Sequence, residues 1–279
     1  MERMTILSLG EFLWDVFPDG REELGGAPFN LAFHASRLGH EPAFISAVGD
    51  DARGVRARQK AAKLGIDTAC IQTNPNAPTG VVTVTLDQTR QPSFVLQRPA
   101  AYDHVALTAR QLHAHSAANP TWICFGTLFF TSKVNLATLR RLLDACQNAR
   151  CFYDLNLRLG NWNDALVRQL IPLADVVKLN EAEMDAVAPA LSGSRATVCV
   201  TRADRGCVID GETIPGYRVQ VADAVGAGDA FSAGLLHGIS EGWPLPQAAD
   251  FANRVGAIVA TRPGGTPFWT PDELNMLTR

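Results

Sequence analysis

The sequence predicts an α/β protein: a mostly parallel sheet flanked by helices on both faces, with a small β-sheet set apart from it. Three observations point there. Short apolar runs alternate with helical patterns along most of the chain. Those runs are nearly continuous in their apolarity, as strands covered on both faces must be. Two further regions break the rhythm with the half-polar alternation of an exposed sheet.

In chain order, residues 6–9 give the first strand. Residues 11–16, followed by the Gly25-Gly26 turn, read as an exposed strand. A helical pattern covers 29–38, with Pro28 suited to its start. A strand at 43–48 and a helix at 52–64 follow. Residues 79–86 and 93–97 alternate Val and Thr around the polar turn Asp87-Gln-Thr-Arg-Gln-Pro92, as a half-solvated hairpin does. Strands at 122–125, 151–153, 176–179 and 196–200 then interleave with helices at 134–148, 165–173 and 181–188. Two last helices, 227–241 and 246–261, meet at the breaker Gly242-Trp-Pro-Leu-Pro246. One large domain over residues 1–279 is expected, with a β lid from about 11–27 and 79–103 inserted in it.

Composition excludes several classes of function. A net charge of -3 without a Lys/Arg stripe argues against a nucleic-acid partner. No apolar run is long enough for a bilayer, and the N-terminus lacks a basic-then-apolar export signal. Cys70, Cys124, Cys146, Cys151, Cys199 and Cys207 form no C-x-x-C pair and mostly sit in apolar stretches, so buried reduced thiols in a cytoplasmic protein are expected. The histidines lack metal spacing, and His113-Ala-His115 reads as the polar end of a surface helix.

The chemistry concentrates in Asp223-Ala-Val-Gly-Ala-Gly-Asp229, a Gly-rich turn feeding the small, apolar helix after it. Gly226 and Gly228 lack the side chains that would keep a ligand from the backbone. First-turn amides around Ala227 then point outward with the helix dipole behind them, a cradle suited to a phosphoryl group. Asp229 in that turn can take the proton of an attacking hydroxyl. Read locally, Asp229 is equally a carboxylate favoured by the dipole alone. Asp154, Asn156 and Arg158 alternate at period two; if their strand continues, all three point to one side at its carboxyl end. Asn180-Glu-Ala-Glu183 has the form of a capping box. No G-x-x-x-x-G-K-[ST] occurs, and Gly226-x-Gly228 lacks the third glycine and early position of a dinucleotide fingerprint.

Taken together, these motifs resemble the ribokinase-like sugar kinases, including the phosphofructokinase B type. The N-terminal signature is Leu24-Gly-Gly-Ala-Pro-Phe-Asn-Leu-Ala32, then Arg37-Leu-Gly39 and Val48-Gly-Asp-Asp51 with Gly54. Tyr153-Asp-Leu-Asn-Leu-Arg158, Lys178-Leu-Asn-Glu-Ala-Glu183 and Val200-Thr-Arg-Ala-Asp-Arg-Gly206 lie between it and the Gly-rich turn. Ala224 departs from the family's usual Thr, at a position that does not carry the reaction.

The resemblance implies a ribokinase-like fold and an ATP- and Mg²⁺-dependent kinase acting on the primary hydroxyl of a sugar. Asp229 is then the base, beside the amides of Gly226, Ala227 and Gly228. Asp15, Gly25, Gly26, Asn30 and Arg158 contact sugar, while Asn30 read by itself is also a helix cap and Arg158 a surface ion pair. Asn180, Thr201, Gly206, Gly228 and Asn253 serve the nucleotide, with Asn253 bordering adenine. Glu183 acts on Mg²⁺ through water, and Asp223 and Val225, with the Val259 and Gly264 region, hold K⁺ through carbonyls. Trp162, Phe17, Phe29 and Phe94 are either an apolar wall of the sugar pocket or core. The runs Leu13-Trp-Asp-Val-Phe-Pro18 and Pro99-Ala-Ala-Tyr-Asp103 are most similar to bacterial fructokinases. A 2-keto-3-deoxygluconate kinase, another sugar or nucleoside kinase, or a silent sugar-binding module are the alternatives. An exposed lid edge favours lid-to-lid homodimers.

Overall fold

In the computed structural model of the chain, residues 3–86 and 92–278 are described. Most of the polar turn expected at 87–92 therefore lies outside the described residues. The N-terminal part runs β1 (Thr5–Leu9), β2 (Leu13–Val16), β3 (Glu22–Gly25), α1 (Ala27–Arg37), β4 (Glu41–Gly49), α2 (Ala52–Lys63), β5 (Ile71–Asn74), β6 (Gly80–Leu86) and β7 (Pro92–Gln97). The middle comprises α3 (Ala109–Ala117), β8 (Trp122–Gly126), α4 (Lys133–Ala145), β9 (Arg150–Asp154), α5 (Asp164–Leu170), β10 (Val176–Asn180) and α6 (Glu181–Leu191). The C-terminal part is β11 (Thr197–Thr201), β12 (Cys207–Ile209), β13 (Glu212–Ile214), α7 (Ala227–Ser240), α8 (Leu245–Ala260) and α9 (Pro271–Asn275).

Nine strands form the main sheet in the order β13-β12-β11-β10-β9-β8-β1-β4-β5. All neighbours run parallel except the hairpin pairs β11–β12 and β12–β13. Side chains alternate across it with the strand period of two. Leu7, Ile123, Tyr153 and Val177 face one core with α4, α5 and α6. Ile6, Trp122, Phe152 and Val176 face a second core with α1, α7 and α8. This is the three-layer arrangement that the apolar runs predict.

A second sheet, β3-β2-β6-β7, stands apart. It is mixed, because β2 pairs parallel with β6. An aromatic triad anchors its base: the Phe12, Phe29 and Phe44 rings lie 4.8–5.5 Å apart. Those three rings are fully buried, so Phe29 is core and not pocket wall. Asp51 fastens β6 to α2. Its carboxylate accepts from Gly54 N at the helix start (2.8 Å), from Thr79 N (2.8 Å) and from Thr79 Oγ1 (2.7 Å). The small sheet ends at Gln97; Ala101 to His104 form a 3-10 turn whose Tyr102 packs in the main core.

Further differences from the sequence reading have local causes. β9 stops at Asp154, and Asn156 adopts a left-handed φ of 43°. The period-two projection of Asp154, Asn156 and Arg158 therefore fails. His115 is buried rather than on a polar surface, while its neighbour His113 is exposed. Cys70 is partly buried and the other five cysteines are buried, all of them free thiols. Among the described residues, no helix is long and apolar enough to cross a membrane.

Candidate active site

The start of α7 is shaped by glycine. Gly226 caps the helix at φ 77°, and a Cβ there would stand 2.5 Å from the Gly265 backbone. Only glycine meets both conditions. Ala227 N turns back to Ala224 O at 3.3 Å, which removes it from the amides expected to face a ligand. The Gly228 and Asp229 amides find no backbone acceptor among the described residues and remain the free donors of the first turn. A Cβ on Gly228 would lie 3.2 Å from Lys178 Nζ, so this glycine lets a cation approach the helix start.

Asp229 is the third helical residue, and Asn30 Nδ2 donates to its Oδ2 at 2.8 Å. Asn30 is in turn backed by Gly265. His34, one turn further along α1, fixes that glycine. Trp269 Nε1 donates to His34 Nδ1 (3.1 Å), which leaves His34 Nε2 protonated and donating to Gly265 O (3.0 Å). Burial drives the Asp229 pKa up to about 6, with the Asp154 charge adding to it and Asn30, Lys178 and Arg158 opposing. A carboxylate so placed is a better proton acceptor than one in water.

Beneath the helix start lies a buried ion pair. Lys178 and Asp154 are register partners on β10 and β9. Lys178 Nζ donates to Asp154 Oδ2 and Oδ1 at 2.9 and 3.1 Å, and Ser232 Oγ on α7 donates to Oδ2 at 2.9 Å. Burial opposes the ammonium charge, but Asp154, Asp229 and Glu183 outweigh it and hold the Lys178 pKa above its ordinary value.

Two clefts of about 340 Å³ meet at this point. Their size suits small organic ligands. One is largely apolar, with Tyr217, Val219, Val221, Phe231 and Ala257 in its walls, and runs along α8. The other is polar, lined by Glu11, Asp15, Asn30, Arg158, Lys178 and Asp229, and lies under Val82, Phe94 and Leu96 of the small sheet. Asn180, Thr201, Ala224 and Gly228 belong to both.

Most of the expected site residues converge on this junction. Asp15, Gly26, Asn30, Arg158, Gly226 and Asp229 line the polar cleft; Gly206, Ala227 and Asn253 line the apolar one. Gly25 lies against Asp15, whose Oδ2 would stand at an ordinary contact distance of 3.4 Å from a Cβ at that glycine. Burial raises Asp15 to about 6, with Arg158 opposing. Asn253 Nδ2 faces Pro215 O at 3.3 Å. Asn180 and Glu183 form the expected capping box, and Glu183 has both oxygens engaged, by Leu157 N (2.6 Å) and Asn180 N (2.8 Å). Val225 lines the polar cleft, but Asp223 does not. The Asp223 carboxylate clamps two loops instead, accepting from Val225 N (3.0 Å) and Gly264 N (2.9 Å). Of the four aromatics considered for the pocket wall, Phe94 alone lines a cleft.

Sequence reasoning missed Glu11 and Lys178 as cleft residues. Each left a signal: an ionisable group inside an apolar run, Leu9-Gly-Glu-Phe12 and Val176-Val-Lys-Leu179. Such a group is buried only with a partner or a purpose. Glu11 Oε1 accepts from Ala27 N at 3.1 Å, Oε2 has no partner among the described residues, and burial raises the acid to about 7.

Comparison with known proteins agrees with this architecture. Residues 17–272 match the model of the pfkB family carbohydrate kinases. A Pyrococcus horikoshii protein described as a sugar kinase is 31% identical, covering 96% of this chain and 94% of its own length. The Escherichia coli fructokinase is 29% identical over 92% of this chain and 93% of its own. The crystal structure of a Xylella fastidiosa fructokinase with bound ATP superposes with a TM-score of 0.86 at 26% identity, covering 98% of this chain and 97% of that one. With a ribokinase-like fold and a match over most of its length, the chain belongs to the pfkB family of carbohydrate kinases.

Proposed function

We propose that this carbohydrate kinase transfers the γ-phosphoryl group of ATP to the primary hydroxyl of a neutral sugar, fructose first among them, to give fructose 6-phosphate. The observation that carries the reading is the position of Asp229, where the polar and apolar clefts meet, with its carboxyl raised to about 6. Its neighbours divide the work. Asp15 and Asn30 hold sugar hydroxyls in the polar cleft, while Thr201, Gly206 and Asn253 border the nucleotide in the apolar one. Asp229 takes the hydroxyl proton, and the Gly228 and Asp229 amides receive charge on the phosphoryl oxygens. The small sheet, through Phe94 and Leu96, serves as a lid that excludes water and limits ATP hydrolysis.

Glu183 itself lines neither cleft, but it caps the helix at Asn180, which lines both, and there it would serve a Mg²⁺ carried in on the nucleotide. Both Glu183 oxygens already accept backbone N–H bonds, so the residue reaches a metal through water and not as a direct ligand. When bound, the ion neutralises charge on the β- and γ-phosphates.

Fructose is favoured over an acid sugar by electrostatics. Glu11, Asp15 and Asp229 face the polar cleft, and Arg158 is the exposed cation there. A substrate carboxylate would meet three acids. The likeness to the Xylella fructokinase supports the same choice. ADP release with a panel of fructose, other hexoses, ribose, 2-keto-3-deoxygluconate and nucleosides tests the reading. Fructose is expected to give the highest kcat/KM. Faster turnover of 2-keto-3-deoxygluconate would reject the substrate, and sugar-induced thermal shifts without ADP release would reject the kinase.

A further inference from the structure

We propose that Lys178 is a catalytic residue: its ammonium, clamped by Asp154 beneath Gly228, meets the phosphoryl group as it passes between the two clefts. The proposal rests on the kinase reading above. Lys178 lines the polar cleft at the junction, next to Asp229, although it is only 7% exposed. An ammonium has three donors. Two of its N–H bonds reach Asp154, and among the described residues no further acceptor is hydrogen-bonded to it. The remaining proton is unspent beside Gly228, the residue whose missing side chain admits the ammonium to the helix start.

Charge argues the same way. A nucleoside triphosphate whose γ-phosphoryl group reaches Asp229 from the apolar cleft meets repulsion from that carboxylate, with Asp15 and Glu11 beyond it in the polar cleft. Arg158 can respond only from an exposed loop, whereas Lys178 is fixed by Asp154, with Ser232 holding the carboxylate in turn. A fixed cation where charge develops needs no reorganisation at the moment of reaction. Replacing a buried ion pair by apolar residues is often neutral or stabilising, so stability alone does not call for this one. In the step itself, the sugar oxygen–phosphorus bond forms as the bond from γ-phosphorus to the β,γ-bridging oxygen breaks. The electron pair leaves with ADP, the hydroxyl proton goes to Asp229, and Lys178 keeps its own proton throughout.

Kinetics of Lys178→Met with the best sugar test this. Loss of one fixed donor to a transition state typically costs ~10²–10³ in kcat, and that fall is expected with both KM values within about threefold of wild type, the scale of uniform binding. The acid limb of kcat should also move to higher pH, because Asp229, faced by Asp154, Glu11 and Arg158, loses a cation that lowers its pKa. If the single variant does not fold, Lys178→Met with Asp154→Leu removes the stranded charge and carries the kcat part of the test alone, because Asp154 raises the Asp229 pKa where Lys178 lowers it. A folded variant, single or double, with wild-type kcat overturns the proposal, as does a single variant whose acid limb is unmoved. Wild-type ADP release measured alongside reads the kinase assignment separately: an inactive wild type sinks that assignment, an active variant sinks only the role of Lys178.

Discussion

At the scale of single residues, the proposed reaction turns on Asp229. Its partner Asn30 holds one oxygen and burial raises its pKa to about 6. Asp229→Asn keeps the size and the acceptor for Asn30 but removes the base. Turnover is expected to fall ~10²–10⁴-fold, the usual loss for a general base, while calorimetry still shows sugar and nucleotide binding. Near-normal kcat would end the assignment. As the proposed base, Asp229 must be deprotonated to act, so kcat/KM should decline as pH drops through about 6. Asp15 is also raised to about 6, so the limiting slope of log kcat/KM against pH should lie between one and two. A profile flat down to pH 5 would contradict both placements. The position of Asp229 at a helix entry beside a cleft was legible because glycines precede it at the start of an apolar helix. Lys178 and Glu11 were not, because the contacts that give them meaning come from β9 and α1, far away in sequence.

At the scale of elements, the entry of α7 depends on a loop it touches but does not adjoin in sequence. Gly226 sits at φ 77° with the Gly265 backbone 2.5 Å from any Cβ, and Gly265 packs on Asn30. Gly226→Ala therefore adds a left-handed strain of about 1–2 kcal/mol to a backbone clash. It should lower Tm by several degrees and kcat by more than tenfold, since the displaced loop carries Asn30 away from Asp229. Gly211→Ala is the matched comparison. Gly211 has φ 85° but nothing within 4 Å, so stability should fall by about 1 kcal/mol with kcat unchanged. Equal kinetic effects from both would show that strain alone, not the contact with Gly265, governs activity. The same hairpin shows where the sequence was hard to read. Asp210 and Gly211 both take positive φ, the pattern of a two-residue turn. The strands on either side, β12 and β13, are three residues each, too short for a period to register. β5, Ile-Gln-Thr-Asn, hides for another reason: it lies at the sheet edge with little to bury.

At the scale of the whole molecule, the layering was legible because strands covered on both faces must be apolar throughout, and six such runs are visible in the chain. Strand order was not, since β1 lies between β4 and β8 through crossovers that leave no local mark. The assembled fold also sets a conflict between stability and chemistry. Glu11 is raised to about 7, and Asp15 and Asp229 to about 6. For each, the folded state binds a proton that the unfolded chain releases at the same pH. Unfolding free energy from these acids is therefore greatest at low pH, declines as pH rises above the ordinary carboxylate values, and levels off once pH passes the folded values of about 6 to 7. Asp229→Asn isolates one of the three, because the buried histidines, which titrate in the opposite sense, are common to both proteins. Between an unfolded value of 3.8 and a folded value of about 6, the variant's advantage should grow from near zero at pH 4 to on the order of 3 kcal/mol at pH 8. Thermal melts should then show the inactive variant several degrees more stable than wild type at pH 8, with the gap closing on acidification. A variant no more stable than wild type at pH 8 would mean that the cleft solvates this carboxylate, and that its raised basicity is not what the fold supplies to the reaction.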